Sequence, residues 1–162
     1  MTANAYLKLD GLQGESLTSG HEGEIELLDW TWGSDQSLNI GSQSTGAGAG
    51  KIRFRSLVVT KRIDSTSPTL FMSSANGHAY LTGHLTVLWP VGTNAGAFDF
   101  LKIDLKIAAI KSLALSQGDP PLEVVEIQFG SAKMTYIREG VDGQPQSPVI
   151  GGWDAIRNVL WI

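Results

Sequence analysis

Three histidines, two closely spaced pairs of carboxylates and one glycine run before a lysine are the features of this 162-residue chain that invite a chemical reading. His21, His78 and His84 are the only histidines, and there is no cysteine. A zinc site draws three or four ligands from closely spaced His, Cys or carboxylate residues. None of these histidines has a second His or a Cys at such a spacing. His78 and His84 can share a strand face, but Tyr80 and Gly83 between them supply no further ligand. No metal site is expected, and without thiols there is no thiolate redox chemistry. The run Gly46-Ala47-Gly48-Ala49-Gly50-Lys51 has the small residues of a phosphate-binding loop. That loop needs Gly five positions before its Gly-Lys pair and Ser or Thr after it, and here those positions hold Thr45 and Ile52. It must also open a helix whose N-terminus receives the phosphates, whereas Lys51 leads into a strand pattern. Serines are numerous, yet no G-x-S-x-G elbow exists. Glu22 with Glu24, and Glu123 with Glu126, have spacings that are common on solvated strands and loops, so a hydrolase dyad is weakly supported. The reading is of a protein with no catalytic residues and no cofactor.

Trp30 and Trp32 lie on one face of an alternating segment and Thr31 on the other. Two aromatics so placed either pack in a core or form a stacking platform for a sugar or base. The neighbouring Leu27, Leu28 and Gly33 favour packing, which turns Thr31 outward. A carbohydrate-binding or small-molecule-binding barrel is the competing reading from a different functional class.

These residues must be held by strands. Period-two alternation is clearest where Leu101, Ile103, Leu105 and Ile107 interleave with Lys102, Asp104 and Lys106. Val125, Ile127 and Phe129 continue the theme, followed by Met134 and Tyr136, with Gly130 between the two runs as an expected bulge or bend. Further strands are expected over residues 5–9, 24–32, 51–61 and 80–89. The apolar parity shifts from Ile52 and Phe54 to Leu57 and Val59, which predicts a bulge near Arg55 and Ser56. One segment departs from the pattern: Ser67 as an N-cap type residue, Pro68 at the first helical position, then Leu70 and an Asn76-Gly77 exit read as a short helix. The fold class is mainly β, an antiparallel β-barrel with one short α-helix, because an open sheet this large would expose edges.

Composition agrees. With 42% hydrophobic and 17% charged residues the chain is globular, and its length suits one domain over residues 1–162. Twelve basic against sixteen acidic residues give a net charge of −4, which argues against nucleic acid as a partner. Lys8 and Asp10 interrupt the N-terminal segment, and no apolar run approaches a membrane span. A cytoplasmic protein without stable membrane insertion is expected, exported, if at all, without a cleavable signal peptide. The stretch Gly41, Ser42, Gln43, Ser44, Thr45, Gly46, Ala47, Gly48, Ala49 and Gly50 has no bulky anchor and reads as a protruding, mobile loop. A second loop, rich in Gly, Gln and Pro, is expected over residues 140–148.

The residues Tyr6-Leu7-Lys8-Leu9, Gly14-Glu15-Ser16, His21, Glu24-Ile25, Trp30-Thr31-Trp32-Gly33, Gly50-Lys51, Thr60-Lys61, Asp64, Ser67-Pro68-Leu70 and Gly152-Trp153-Asp154, in this order, resemble the haemolysin-coregulated protein (Hcp) family. These are the tube proteins of the bacterial type VI secretion system. The resemblance spans nearly the whole chain, although the apolar end Asn158-Val159-Leu160-Trp161-Ile162 departs from the polar tails of the family. It implies a secreted barrel assembled as a homohexamer, stacked into a tube, capped by a spike protein, driven by a contractile sheath and carrying small effectors in the ring lumen. It also implies that Thr31 looks into that lumen as a cargo contact and that the 41–50 loop serves ring stacking. A phage tail tube, or that of another contractile particle, shares the architecture and is the nearest alternative.

Overall fold

The computed structural model describes residues 4–41, 49–89 and 98–162. Among these residues eleven strands and one helix follow in the order β1 (Asn4–Leu9), β2 (Ile25–Leu27), β3 (Asp29–Thr31), β4 (Ser34–Asp35), β5 (Arg53–Phe54), β6 (Leu57–Arg62), α1 (Ser67–Asn76), β7 (Ala79–Trp89), β8 (Phe98–Ser116), β9 (Leu122–Tyr136), β10 (Val149–Asp154) and β11 (Val159–Leu160). Nine strands form one antiparallel sheet running β11-β10-β9-β8-β7-β1-β2, with β6 joining β9 to β3, while β4 and β5 pair as a separate ribbon. The sheet is barrel-like. Its ladder is interrupted where β2 passes into β3: residues 25–27 pair with β1, residues 29–31 pair with β6, and the Leu28 N–H donates to the Thr60 carbonyl at 2.8 Å. The single expected strand over 24–32 is therefore two strands bent at Leu28, and that bend brings the ends of the sheet together.

Alternation places the core. Leu7, Leu9, Leu57, Val59, Leu85, Ile103, Leu105, Val125 and Ile127 are buried together, and Leu70 of the helix joins them. The long β8–β9 hairpin supplies two walls because its regularity breaks in the middle. Ile107 has φ +56°, and Lys111 is a bulge between Ile110 and Ser112. The inward set slips there by one residue: Ala108 and Ile110 are buried while Ile107 is 51% exposed, which overturns the expectation that Ile107 continues the core face. Gly130 is neither bulged nor bent out of register. It marks the point on β9 where the partner on one edge changes, since residues 122–127 pair with β6 and residues 131–136 with β10. A Cβ at Gly130 would meet the Ile156 side chain, which occupies the space its absence leaves.

Near Arg55 and Ser56 the chain does not bulge. It breaks into β5 and β6, which belong to different sheets. The cap of the helix lies one residue earlier than expected: Thr66, not Ser67, is the N-cap residue, Gly77 ends the helix in the left-handed conformation at φ +69°, and the Ser67 hydroxyl donates to Glu123. The apolar C-terminus is an added strand, β11, paired to β10 with Trp153 opposite Leu160. Trp161 lies under two ammonium groups, those of Lys106 at 4.5 Å and Lys133 at 4.9 Å.

Gly14 offers a direct test of the loop between β1 and β2. Its N–H donates to the Gly23 carbonyl at 2.7 Å, and a Cβ there would run into the backbone of Glu24 and Ile25. Gly14→Ala should cost about 2–3 kcal/mol, a fall in melting temperature of roughly 4–12 °C. Gly151→Ala, with nothing within 4 Å of the new methyl, should be nearly neutral in the same thermal scan.

Candidate functional site

Thr31 stands where the alternation puts it. β3 pairs with β6, β6 with β9, and β9 with β8, so that Thr31, Val58, Glu126 and Ser112 form one row across four strands, with Asp29, Thr60, Val124 and Ala114 in the next. Thr31 and Ser112 are exposed, and Val58 and Glu126 are half-buried. Arg53, Arg55, Lys111 and Gln128, with Trp32 and Phe54, complete an open groove of mixed polarity along this wall. Lys111 lies 3.7 Å from Glu126, and Arg55 grips Asp35 through two bonds of 2.9 and 2.7 Å. The hydrogen bonds from Arg55 hold the Asp35 carboxyl below its ordinary range, against a smaller desolvation effect, and Arg55 is raised in return. The wall is thus a mixed-charge surface over an apolar core.

Trp30 and Trp32 pack against that core from beneath, as expected. The Trp32 ring is 6.2 Å from Phe54 and 6.3 Å from Phe129, and its half-buried remainder lines the groove beside Thr31. The carboxylate pairs separate. Glu123 faces the core, Glu126 faces the groove beside Thr31, Glu22 accepts from the Gly20 N–H, and Glu24 binds the His21 ring. His21 is buried, stacked on Tyr6 at 4.6 Å with its Nδ1 on Glu24 and its Nε2 on Asp99. His84 bonds Asp104 at 2.6 Å, and this contact, aided by Lys133 and Lys102 and opposed by desolvation, lowers the Asp104 carboxyl. His78 sits edge-on to Tyr80. Among the described residues no three metal-ligating side chains converge.

The 41–50 loop is described only at its base. Ser42 to Gly48 lie outside the described residues, while Gly41, Ala49 and Gly50 are exposed. The Gly50 N–H donates to the Ser37 carbonyl, joining the two limbs of an arm that leaves the barrel beyond β4 and β5.

Two features were not read from the sequence. One is a buried pair across β6 and β9: the Lys61 ammonium donates to Glu123 at 2.7 Å, Asp64 at 2.9 Å and Ser67 at 3.2 Å. Burial opposes ionisation of Asp64, but the bonds from Thr66 and Lys61 outweigh it and hold the carboxyl below its usual range. The signal was present, because Lys61 follows Leu57 and Val59 on the inward parity and Glu123 precedes Val125 and Ile127 on theirs. The other is a pair of free strand edges. Among the described residues, 29–31 pair only with β6, and 110–116 pair only with β9.

Comparison with known proteins places this architecture. The family model described as "Type VI secretion system effector, Hcp" matches residues 6–136. Protein hcp1 of Pseudomonas aeruginosa is 33% identical over 163 residues, covering 98% of this chain and 99% of that protein. A solved type six secretion system protein superposes with a TM-score of 0.89 at 25% identity, covering 99% of this chain and 100% of the other. Hcp1 from Salmonella typhimurium does so with a TM-score of 0.77 at 26% identity over 99% of this chain and 100% of its own. Fold and matches together define a secreted structural protein of the type VI secretion system. The chain belongs to the Hcp family, and it is a tube subunit of that system.

Proposed function

We propose that the chain closes into hexameric rings that stack head to tail into a hollow tube, with the Thr31 wall turned to the lumen, where it receives small effectors. The spike protein and the contractile sheath are the further partners of this reading. The pair of free edges flanking the Thr31 wall carries it. The wall has four strands in alternating direction, β3-β6-β9-β8, and among the described residues both of its outer edges offer unpaired backbone groups. An even number of strands keeps the alternation antiparallel when β8 of one copy meets β3 of the next. Such a contact joins two different surfaces, and it closes when the rotation per copy divides a full turn.

In the closed ring every copy presents Thr31 at the same height, so a change there is repeated by symmetry. The small hydroxyl can donate to or accept from cargo, whereas glutamine adds volume and an amide that cargo must satisfy. Thr31→Gln should leave hexamers intact and reduce co-purification of a cognate effector at least tenfold, read by pull-down beside native mass spectrometry. Unchanged cargo on intact rings would remove the lumen role, and broken rings would assign Thr31 to assembly.

A further inference from the structure

The groove beside Thr31 departs in charge from the rest of the chain. The protein carries a net charge of −4, yet Arg53, Arg55 and Lys111 reach this groove against one carboxylate of its lining, Glu126. The three cations are not equivalent. Arg55 is committed to Asp35, whose Oδ1 and Oδ2 both receive it. Arg53 lies directly opposite Asp35 in the β4–β5 register, where both of those oxygens are engaged, and it makes no ion pair among the described residues. Lys111 occupies the bulge between Ile110 and Ser112, and its ammonium stands 3.7 Å from Glu126, beyond a good hydrogen bond. Both side chains are exposed and have donors to spare.

The same groove has an aromatic wall. Trp32 and Phe54 are half-buried, packed on each other with 6.2 Å between ring centroids and backed by Phe129, so that part of each still lines the groove. Its volume of about 680 Å³ suits a short peptide segment and not a folded domain. A planar guanidinium pairs with a carboxylate through two parallel bonds, and an aromatic wall takes an aromatic side chain. Resting on the lumen reading above, we infer that this groove selects the cargo: it takes a segment in which an aspartate or glutamate lies beside an aromatic side chain. Arg53 and Lys111 hold the carboxylate, and the ring lies against Trp32 and Phe54. Thr31, in the same lining, adds a small hydrogen-bonding group. In a closed ring the cations recur in every copy, which raises the local positive potential and draws acidic cargo inward. Basic cargo is repelled at each copy.

The unaltered protein tests the charge rule first. The probe is a peptide of alternating Glu and Phe carrying a neutral fluorophore, with one control in which Lys replaces Glu and a second in which Ser replaces Phe. Fluorescence anisotropy should show the acidic aromatic peptide bound roughly tenfold or more tightly than either control. Its advantage over the lysine peptide should shrink as salt is added. Equal binding of the lysine peptide, or no binding of the acidic one, would overturn the charge rule, and equal binding of the serine peptide would overturn the aromatic contact. Arg53→Ala/Lys111→Ala should then weaken the acidic peptide by about tenfold or more, with melting temperature and native mass unchanged. Undiminished binding by that variant would contradict the assignment of these two cations. Co-purification of a cognate effector separates this contact from the lumen reading. Loss of the effector with Thr31→Gln but not with Arg53→Ala/Lys111→Ala would remove the cation clamp and leave the lumen role standing. Retention by both variants would remove both.

Discussion

Lys61→Met should lower the melting temperature by roughly 6–20 °C, the equivalent of about 3–5 kcal/mol in a chain of this size. The lysine is 1% exposed and its partner Glu123 is fully buried, directly opposite it in the β6–β9 register. Glu123 Oε2 receives the ammonium at 2.7 Å and the Ser67 hydroxyl at 2.6 Å, while Oε1 is buried without a partner. Removing the ammonium leaves a carboxylate in the core with one hydrogen bond and no compensating charge. Truncating one member of a buried pair costs more than replacing both. The double variant Lys61→Met/Glu123→Leu should accordingly recover most of the loss, since Ser67 still accepts from the Asp64 N–H and Asp64 still receives Thr66. Calorimetry on the two variants and the parent checks both signs. A single variant as stable as the parent would show that the network adds nothing to the attachment of α1.

A proline scan across Ala114 and Leu115 should separate the fold from the ring. Both residues lie in the part of β8 that, among the described residues, pairs only with β9, opposite Val124 and Glu123 respectively. Successive N–H groups of a strand point to opposite neighbours, so one of the two serves the β9 ladder and the other faces the free edge. Proline has no N–H to donate and its ring obstructs an approaching strand. The variant on the ladder side should lose about 3 kcal/mol of stability, in line with the general cost of an intruding proline. Its neighbour should keep the monomer's melting temperature and lose at least nine-tenths of the hexamer at tens of micromolar. Native mass spectrometry and thermal melts on the pair decide it. Hexamers surviving in both variants would contradict closure through this edge.

Much of this architecture was legible in the residues because strand alternation is a local signal. Lys102, Asp104 and Lys106 against Ile103 and Leu105 declare an inward and an outward face with no reference to the rest of the chain. The same rule set Thr31 outward once Trp30 and Trp32 were taken as packing residues. What escaped was long-range or conformational. The bend at Leu28 depends on which partner each half of the segment meets, β1 or β6, and neighbouring residues do not encode that choice. Ile107 was placed inward because alternation gives no warning of a left-handed backbone at a β-branched residue. Ser67 looked like a helix cap because its type suits one, yet its hydroxyl is claimed by Glu123, fifty-six positions away. The free edges were invisible for a similar reason, since an edge is defined by the strand that is not beside it.

Ring formation is the claim on which lumen, cargo and stacking all depend, and the mass of the native particle measures it directly. Purified protein at tens of micromolar, sprayed from a volatile buffer near neutral pH, should give a dominant species at six times the 17.4 kDa chain, with larger species only in multiples of that ring. A spectrum containing only the single chain at that concentration would contradict the account.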